Sequence, residues 1–174
     1  LIRLICRKRI QKRMRKRIQK LKVAHDLGLD DTKDLDERLD GPEYAKRSVA
    51  DQEARDILAE VQKAKRKVTE VEMLRALDLW GFARNPNRFN VMESGQEWVY
   101  SDNVGAVVRR DGLILPQAST MKYQNFMKLL TRYLKDNLPD DFHEEFGYTS
   151  ININKDYAGK RHRDVGNVGP SVVK

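Results

Sequence analysis

The spacing of apolar residues changes once along the chain, and this change limits the folds open to it. Between residues 43 and 79, apolar residues recur every three or four positions without an intervening Pro or Gly, which predicts helices. After Trp80, short apolar runs at 97–100, 105–108 and 113–115 are separated by turns predicted at 101–103 and 110–112, which indicates an antiparallel meander. The sequence therefore predicts an α+β chain in which helices precede strands.

Local signals refine this prediction. Thr69 followed by Glu72 is the pattern of a capping box, so a second helix is expected to begin there. Residues 121–137 return to helical spacing, and residues 148–154 alternate as a strand does. A further strand is expected to begin at Ser171. The apolar face expected for the helix at 121–137 consists of Tyr123, Phe126, Met127, Leu130, Tyr133 and Leu134.

Positive charge is concentrated at the N-terminus. Residues 1–23 contain 11 of the 34 Lys and Arg residues and no acid, whereas all 26 Asp and Glu residues lie beyond them. The spacing of Ile10, Met14, Ile18 and Leu21 predicts a basic amphipathic helix over 1–23, and the acidic stretch 24–43 is predicted to be a linker. Such asymmetry favours binding to a polyanion, either nucleic acid or an acidic protein surface. The residues expected to bind are Arg7, Lys8, Arg9, Lys12, Arg13, Arg15, Lys16, Arg17 and Lys20.

Composition excludes several classes of protein. Cys6 is the only cysteine, so an internal disulfide framework and a cysteine-cluster zinc site are excluded. No run of eighteen consecutive apolar residues marks a membrane-spanning helix. The compartment stays open among intracellular, nuclear and organellar locations. Because the sequence begins with Leu1 and closes on residues that resemble the start of a strand, we expect the natural chain to extend at both ends.

One short segment concentrates residues capable of metal chemistry. His162 and Asp164 stand two positions apart after a predicted strand, and residues two apart in an extended segment point to the same side. An imidazole and a carboxylate, joined by a second histidine, form the facial triad of non-heme Fe(II) oxygenases. The spacing therefore suggests a metal site. The competing interpretation is a hydrogen-bonded surface pair, with Asn152 and Asn154 capping strand ends.

The surrounding sequence resembles a known family. The stretch YTSININKDYAGKRHRDVGNVGPSVVK resembles the first two core strands of the 2-oxoglutarate/Fe(II)-dependent dioxygenases. The shared features are a strand carrying N-x-N, a tyrosine, H-x-D, and an N-x-G-P-S turn into the next strand. The branch looks closest to algal and fungal oxygenases allied to the ten-eleven translocation and base J families, which oxidise nucleobases. The resemblance covers residues 91–174 and is specific from 148 to 172.

The resemblance implies a fold, cofactors and a site. Residues 91–174 would form part of a double-stranded β-helix, or jelly roll, after a helical region at 44–84. Fe(II) and 2-oxoglutarate would be the cofactors only if a C-terminal half beyond Lys174 is present, and otherwise there would be none. The reaction would hydroxylate a substrate, with nucleic acid among the candidates. The implied metal ligands are His162 and Asp164, and the implied pocket residues are Asn152, Asn154, Tyr157, Asn167 and Ser171; no residue is assigned a catalytic role.

The family also uses a distal histidine and a basic residue on later strands. The sequence as far as Lys174 contains no match to either, so we expect the 174-residue chain by itself to be inactive. The alternative function is a non-catalytic subunit of a large assembly, such as a ribonucleoprotein or organellar complex, anchored by the basic N-terminal helix. A membrane-surface protein is a third possibility. Release of a polyanion with a steep salt dependence would favour the assembly subunit, whereas loss of function on changing His162 or Asp164 would favour the enzyme.

Overall fold

The computed structural model describes residues 2–5, 42–82, 84–88, 91–108, 114–139, 150–156 and 171–173. The described part is a mixture of helices and antiparallel strands, which confirms the predicted α+β class. The helices are α1 (Pro42–Ala64), α2 (Glu70–Leu79), α3 (Ala118–Lys122) and α4 (Gln124–Asp136), with a 3-10 turn at Pro86–Arg88. The strands are β1 (Ile2–Ile5), β2 (Arg84–Asn85), β3 (Val99–Val108), β4 (Ile114–Pro116), β5 (Ser150–Lys155) and β6 (Ser171–Val173).

The chain divides into two compact units, and neither is continuous in sequence. The helical unit comprises residues 34–81 and 118–146, and the sheet unit comprises 1–33, 82–117 and 147–174. The units therefore do not follow the predicted linear division into 44–84 and 91–174. Helix α4, which the sequence grouped with the strands, packs with α1 and α2 because its strongly apolar face is buried there.

The helical unit is built around aromatic residues. On α1, the buried positions Ala50, Ala54, Ile57 and Val61 recur at helical spacing and form one stripe. Helix α4 contributes most of the buried large side chains: Phe126, Leu129, Leu130, Tyr133 and Leu134. Four of the six apolar positions predicted for this helix are in this set. Of the other two, Tyr123 is also buried, whereas Met127 is only half-buried.

Trp80 lies at the centre of this aromatic core. Its ring is stacked on Phe126 at a centroid distance of 4.1 Å, and it meets Tyr123 edge-on at 5.3 Å. The buried Arg47 places its guanidinium 4.5 Å from the Trp80 ring centroid. Arg47 Nε also donates a hydrogen bond of 2.7 Å to the carbonyl of Gly81. This arrangement anchors the segment that ends α2 against the start of α1.

The capping box predicted at Thr69 is confirmed. The Thr69 hydroxyl accepts a hydrogen bond from the Glu72 backbone N–H, and the Glu72 carboxylate accepts from the Thr69 backbone N–H. Arg66 adds two hydrogen bonds to the same carboxylate, of 2.6 and 2.9 Å. Because all of these groups are within seven residues of one another, the local sequence was sufficient to predict this helix start.

The start of α4 is stabilised by a residue remote in sequence. Tyr123, at the N-cap position, makes no side-chain capping hydrogen bond to the start of the helix. Asp51 of α1 instead accepts hydrogen bonds of 2.9 Å from the Phe126 backbone N–H and from the Asn125 side-chain amide. A carboxylate is favourable here because the first N–H groups of a helix lack partners and carry partial positive charge. Asp51 has the spacing of an ordinary helix surface residue, so the sequence carries no signal of this contact.

The sheet is antiparallel at every described pairing and has the order β2-β3-β5-β1-β6, with β4 paired to β3. The predicted strands at 148–154 and from Ser171 are confirmed as β5 and β6. The predicted turn at 101–103 is wrong, because β3 runs without interruption from Val99 to Val108. Strand β5 pairs with β3 from Tyr100 to Gly105, and these ladder hydrogen bonds outweigh the local turn preference of Ser, Asp and Asn.

The N-terminal segment differs from its prediction. Residues Ile2–Ile5 form β1, paired antiparallel with β5 on one side and β6 on the other. The predicted helix over 1–23 is therefore wrong for these four residues, and the remaining residues of that segment lie outside the described ranges. Ile2, Leu4 and Ile5 suit a strand, and two neighbouring strands satisfy the backbone hydrogen bonds of β1. The acidic linker predicted at 24–43 lies outside the described ranges except for the first residues of α1.

Candidate functional site

The two faces of the sheet have different chemistry where β3 and β5 pair. On β5, Ile151 and Ile153 are fully buried on one face of the sheet. Ser150, Asn152 and Asn154 alternate with them and therefore lie on the opposite face. Directly opposite partners in antiparallel strands share a face, so Ser101 lies with Asn154, and Asn103 lies with Asn152. We call the resulting row the polar strip; it comprises Ser101, Asn103, Ser150, Asn152 and Asn154.

The polar strip is largely removed from solvent. Ser101 is 4% exposed, and Ser150 and Asn152 are each 8% exposed. Within the described part of the chain, Ser101 Oγ and Asn103 Oδ1 are buried and make no hydrogen bond. A buried polar atom left unsatisfied costs about 1–3 kcal/mol. The strip thus provides hydrogen-bonding capacity that a polar ligand or ordered water can use, at a cost to the stability of the empty protein.

A basic residue is in register with the strip. In β1, Arg3 is paired with Asn152, and on its other side Arg3 is paired with Val173 of β6. The row across the sheet therefore runs from Asn103 through Asn152 to Arg3 at the level of the backbone. This juxtaposition does not follow from the helix predicted over 1–23, because in a helix Arg3 would have no fixed relation to β5.

The strip contains no ionisable side chain. Serine and asparagine hydroxyl and amide groups donate and accept hydrogen bonds without changing charge in the physiological pH range. Recognition by these five residues therefore depends on hydrogen-bond geometry. The described groups with clearly shifted pKa values, Glu72, Arg66 and Tyr133, all lie in the helical unit.

Only some of the predicted site residues lie in the described part of the chain. Asn152 and Asn154 lie together on the polar strip, and Ser171 opens β6 with its backbone paired to Ile5. The predicted ligands His162 and Asp164 and the predicted pocket residues Tyr157 and Asn167 lie outside the described ranges. The predicted polyanion-binding residues also lie outside them; these are Arg7, Lys8, Arg9, Lys12, Arg13, Arg15, Lys16, Arg17 and Lys20. Their roles remain predictions.

Two residues of the strip were not predicted from the sequence. Ser101 and Asn103 were assigned to a turn because Ser, Asp and Asn occur consecutively there. Residues 99–104 show no apolar–polar alternation that would have identified them, because Val99, Ser101 and Asn103 share one face of β3 and mix apolar with polar side chains. Among the described residues, no three His, Cys, Asp or Glu side chains are grouped so as to hold a metal ion.

The described helices include none that is both long and apolar enough to cross a membrane. Comparison with known proteins finds no matching family model, no matching curated protein and no matching solved structure. The geometry of the polar strip, together with the sequence around it, is therefore the basis for assigning a function.

Proposed function

We propose that this protein is a 2-oxoglutarate/Fe(II)-dependent dioxygenase-like protein whose sheet forms the front part of a double-stranded β-helix. The observation that carries the proposal is the polar strip, because it is a buried row of hydrogen-bonding side chains on one face of a sheet. Strand β5, which holds Asn152 and Asn154, is followed by the His162 and Asp164 segment and then by β6. The three strip residues of β5 and the proposed metal ligands are therefore contributed by one continuous stretch of chain, whereas Ser101 and Asn103 come from β3.

The chemistry of the strip fits the co-substrate. 2-Oxoglutarate presents two carboxylates and a keto oxygen, all of which accept hydrogen bonds. The Ser101 hydroxyl and the side-chain amides of Asn103 and Asn152 can donate them. Rotation of the Asn103 side-chain amide by 180° exchanges its oxygen and nitrogen, so the unpaired end of Asn103 can present its N–H groups. The neighbouring strand contributes a basic residue at this level, since Arg3 is in register with Asn152 along the backbone.

The metal would be held by residues that the sequence supplies. His162 and Asp164 would contribute an imidazole nitrogen and a carboxylate oxygen, a donor set suited to Fe(II). When bound together with 2-oxoglutarate, Fe(II) would supply the chemistry by which O2 hydroxylates a substrate while 2-oxoglutarate is converted to succinate and CO2. The role of the strip would be to orient the co-substrate and to exclude bulk water from it.

The proposal is tested by anaerobic titration of the natural chain, including any residues it carries beyond Lys174, with Fe(II) and 2-oxoglutarate, following the visible charge-transfer absorption of their chelate. We expect the unmodified chain to develop this absorption, and we expect His162→Ala and Asp164→Ala each to lose it because a ligand is removed. His143→Ala is the matched control, since it removes a histidine that lies outside the H-x-D motif. Equal absorption in all four proteins, or none in the unmodified chain, would contradict the proposal.

A second test separates a ligand-binding strip from a purely structural one. We expect Ser101→Ala to leave the thermal unfolding midpoint unchanged or higher, because the mutation removes a buried hydroxyl that has no described partner. The same change should weaken 2-oxoglutarate binding about fivefold, as expected for loss of one hydrogen bond of about 1 kcal/mol. Calorimetry measures both quantities.

Ser119→Ala is the matched control for this test, since it removes a buried hydroxyl from the helical unit. It should leave 2-oxoglutarate binding unchanged. If Ser101→Ala destabilised the protein and left binding intact, the hydroxyl would be structural and the strip would not be the co-substrate site.

A non-catalytic subunit of a large assembly is the second candidate function. Val71 and Leu74, one turn apart on α2, are 75% and 51% exposed, which provides apolar surface for a partner. The basic residues 1–23 would supply the contact with a polyanion. This candidate requires no metal, so retention of every cellular function by His162→Ala and Asp164→Ala would favour it over the enzyme.

A further inference from the structure

Asn85, the last residue of β2, lies on the same face of the sheet as the polar strip. It is paired with Val99 of β3, and directly opposite partners in antiparallel strands share a face. Val99 and Ser101 are two positions apart on β3, so they also share that face. Asn85 is therefore next to the Ser101 end of the polar strip, although it is not one of the five residues that form it.

The side-chain amide of Asn85 is held at both ends. Its Nδ2 donates a hydrogen bond of 3.0 Å to the Ser101 carbonyl, and its Oδ1 accepts one of 3.0 Å from the Asn87 backbone N–H. A carbonyl only accepts and a backbone N–H only donates, so a single orientation of the amide satisfies both contacts. The half-buried Asn85 thus ties the turn that follows β2 to the backbone of β3.

The position of the Ser101 hydroxyl depends on the backbone that carries it. Ser101 is 4% exposed, and within the described part of the chain its Oγ makes no hydrogen bond that could fix it. On one side, Ser101 is in register with Asn154 of β5. On the other side, β2 is paired with Tyr100 and Val99, and the Asn85 amide extends this contact to Ser101. Asn85 therefore anchors the Ser101 backbone from the side opposite to β5.

We propose that Asn85 is a positioning residue, which holds the Ser101 backbone so that the hydroxyl is aimed at the ligand of the polar strip. The inference rests on the function proposed above, in which that ligand is 2-oxoglutarate. Because the Asn85 amide is engaged with the protein at both ends, it acts through Ser101 and not by contact with the ligand. Hydrogen bonds weaken steeply as their geometry departs from linear, so a small shift of Ser101 is sufficient to weaken binding.

The test is Asn85→Asp, with 2-oxoglutarate binding to the natural chain measured by calorimetry. Aspartate keeps the size of the side chain and the acceptor for the Asn87 N–H, but it replaces the donor to the Ser101 carbonyl with an oxygen that repels it. We expect binding to weaken about threefold, which is less than the fivefold expected for Ser101→Ala, because the hydroxyl is displaced and not removed. The thermal unfolding midpoint should also fall, because the carbonyl loses its donor.

Asn87→Asp is the matched control. Asn87 is exposed in the same turn, and the hydrogen bond that it donates to Asn85 comes from its backbone. The substitution therefore adds the same negative charge close to the strip without removing the contact to Ser101. It should leave 2-oxoglutarate binding unchanged. Equal weakening by Asn87→Asp and Asn85→Asp would show that the added charge acts on the ligand directly, and it would overturn the inference.

The double variant Asn85→Asp/Ser101→Ala separates positioning from a merely structural role. If Asn85 acts through the hydroxyl, the double variant should bind 2-oxoglutarate no more weakly than Ser101→Ala alone. The fall in unfolding midpoint caused by Asn85→Asp should persist in the Ser101→Ala background, because the carbonyl at this position belongs to the backbone.

The possible failures are distinguishable. Additive losses of binding in the double variant, or unchanged binding in Asn85→Asp, would overturn this inference and leave the proposed function standing. If the unmodified chain did not bind 2-oxoglutarate, or if Ser101→Ala bound it as tightly as the unmodified chain, the role proposed for the polar strip would be overturned and this inference with it.

Discussion

Replacing Phe126 with alanine is expected to lower the free energy of unfolding by about 3–5 kcal/mol, the usual cost of removing a buried phenyl ring. Phe126 has no exposed surface, and its ring is stacked on Trp80 at 4.1 Å with an interplanar angle of 7°. The substitution leaves a cavity against Trp80, and it also removes the stacking contribution of about 0.5–1.5 kcal/mol. Urea denaturation followed by far-ultraviolet circular dichroism measures the loss.

Two further substitutions make this result specific. Phe126→Leu retains much of the buried volume, so it should cost clearly less than Phe126→Ala. Met127→Ala is the matched control on the next residue of α4, where the side chain is only half-buried. If Phe126→Ala cost no more than Met127→Ala, the aromatic core would not be the main source of stability in the helical unit.

Replacing Glu72 with glutamine is expected to destabilise the protein by about 1–2 kcal/mol at neutral pH, and by much less near pH 2. The hydrogen bonds from Arg66, followed by those from the Thr69 backbone and hydroxyl, lower the pKa of Glu72 from 4.5 to about 2. The expected loss of unfolding free energy is smaller than the lowered pKa of Glu72 alone would give. The reason is that Arg66 is 39% exposed, so solvent screens its interaction with Glu72.

The pH dependence has a definite sign. The folded pKa of Glu72 lies below the unfolded value, so its carboxylate contributes its full stabilisation above about pH 4.5. That stabilisation is lost as the pH falls from about 4.5 towards 2, where the folded-state carboxylate becomes protonated. Urea midpoints of the unmodified protein and of Glu72→Gln should therefore converge over this range.

Glu70→Gln is the control for this experiment, since Glu70 is an exposed acid in the same first turn of α2. Its removal should cost only a few tenths of a kcal/mol through the helix dipole. A difference between the unmodified protein and Glu72→Gln that is the same at pH 7 and at pH 2.5 would show that the loss does not come from the ionised carboxylate.

Features that depend on neighbouring residues were predictable from the sequence. The start of α2 at Thr69 follows from groups three residues apart, and the strand β5 follows from its alternation. The apolar face of α4 follows from helical spacing, although Leu129 replaced Met127 as a fully buried position. In each case one short segment contains all the groups that determine its conformation.

The candidate site was only half predictable. Asn152 and Asn154 were identified on β5, but Ser101 and Asn103 were assigned to a turn. Pairing with β5 made this segment a strand, and the register then placed these residues beside the asparagines. A single sequence does not specify which distant strand pairs with which, or in what register.

The sequence by itself determined the α+β class, the helices on either side of Thr69 and the alternation of β5, because local propensity and periodicity act within one segment. Tertiary structure decided the strand conformation of Ile2–Ile5, the capping of α4 by Asp51 and the assembly of the polar strip. Each of these depends on hydrogen bonds between groups at least 45 residues apart in the sequence. Such contacts form only when the chain has brought distant segments together, and they then override the weaker local preference.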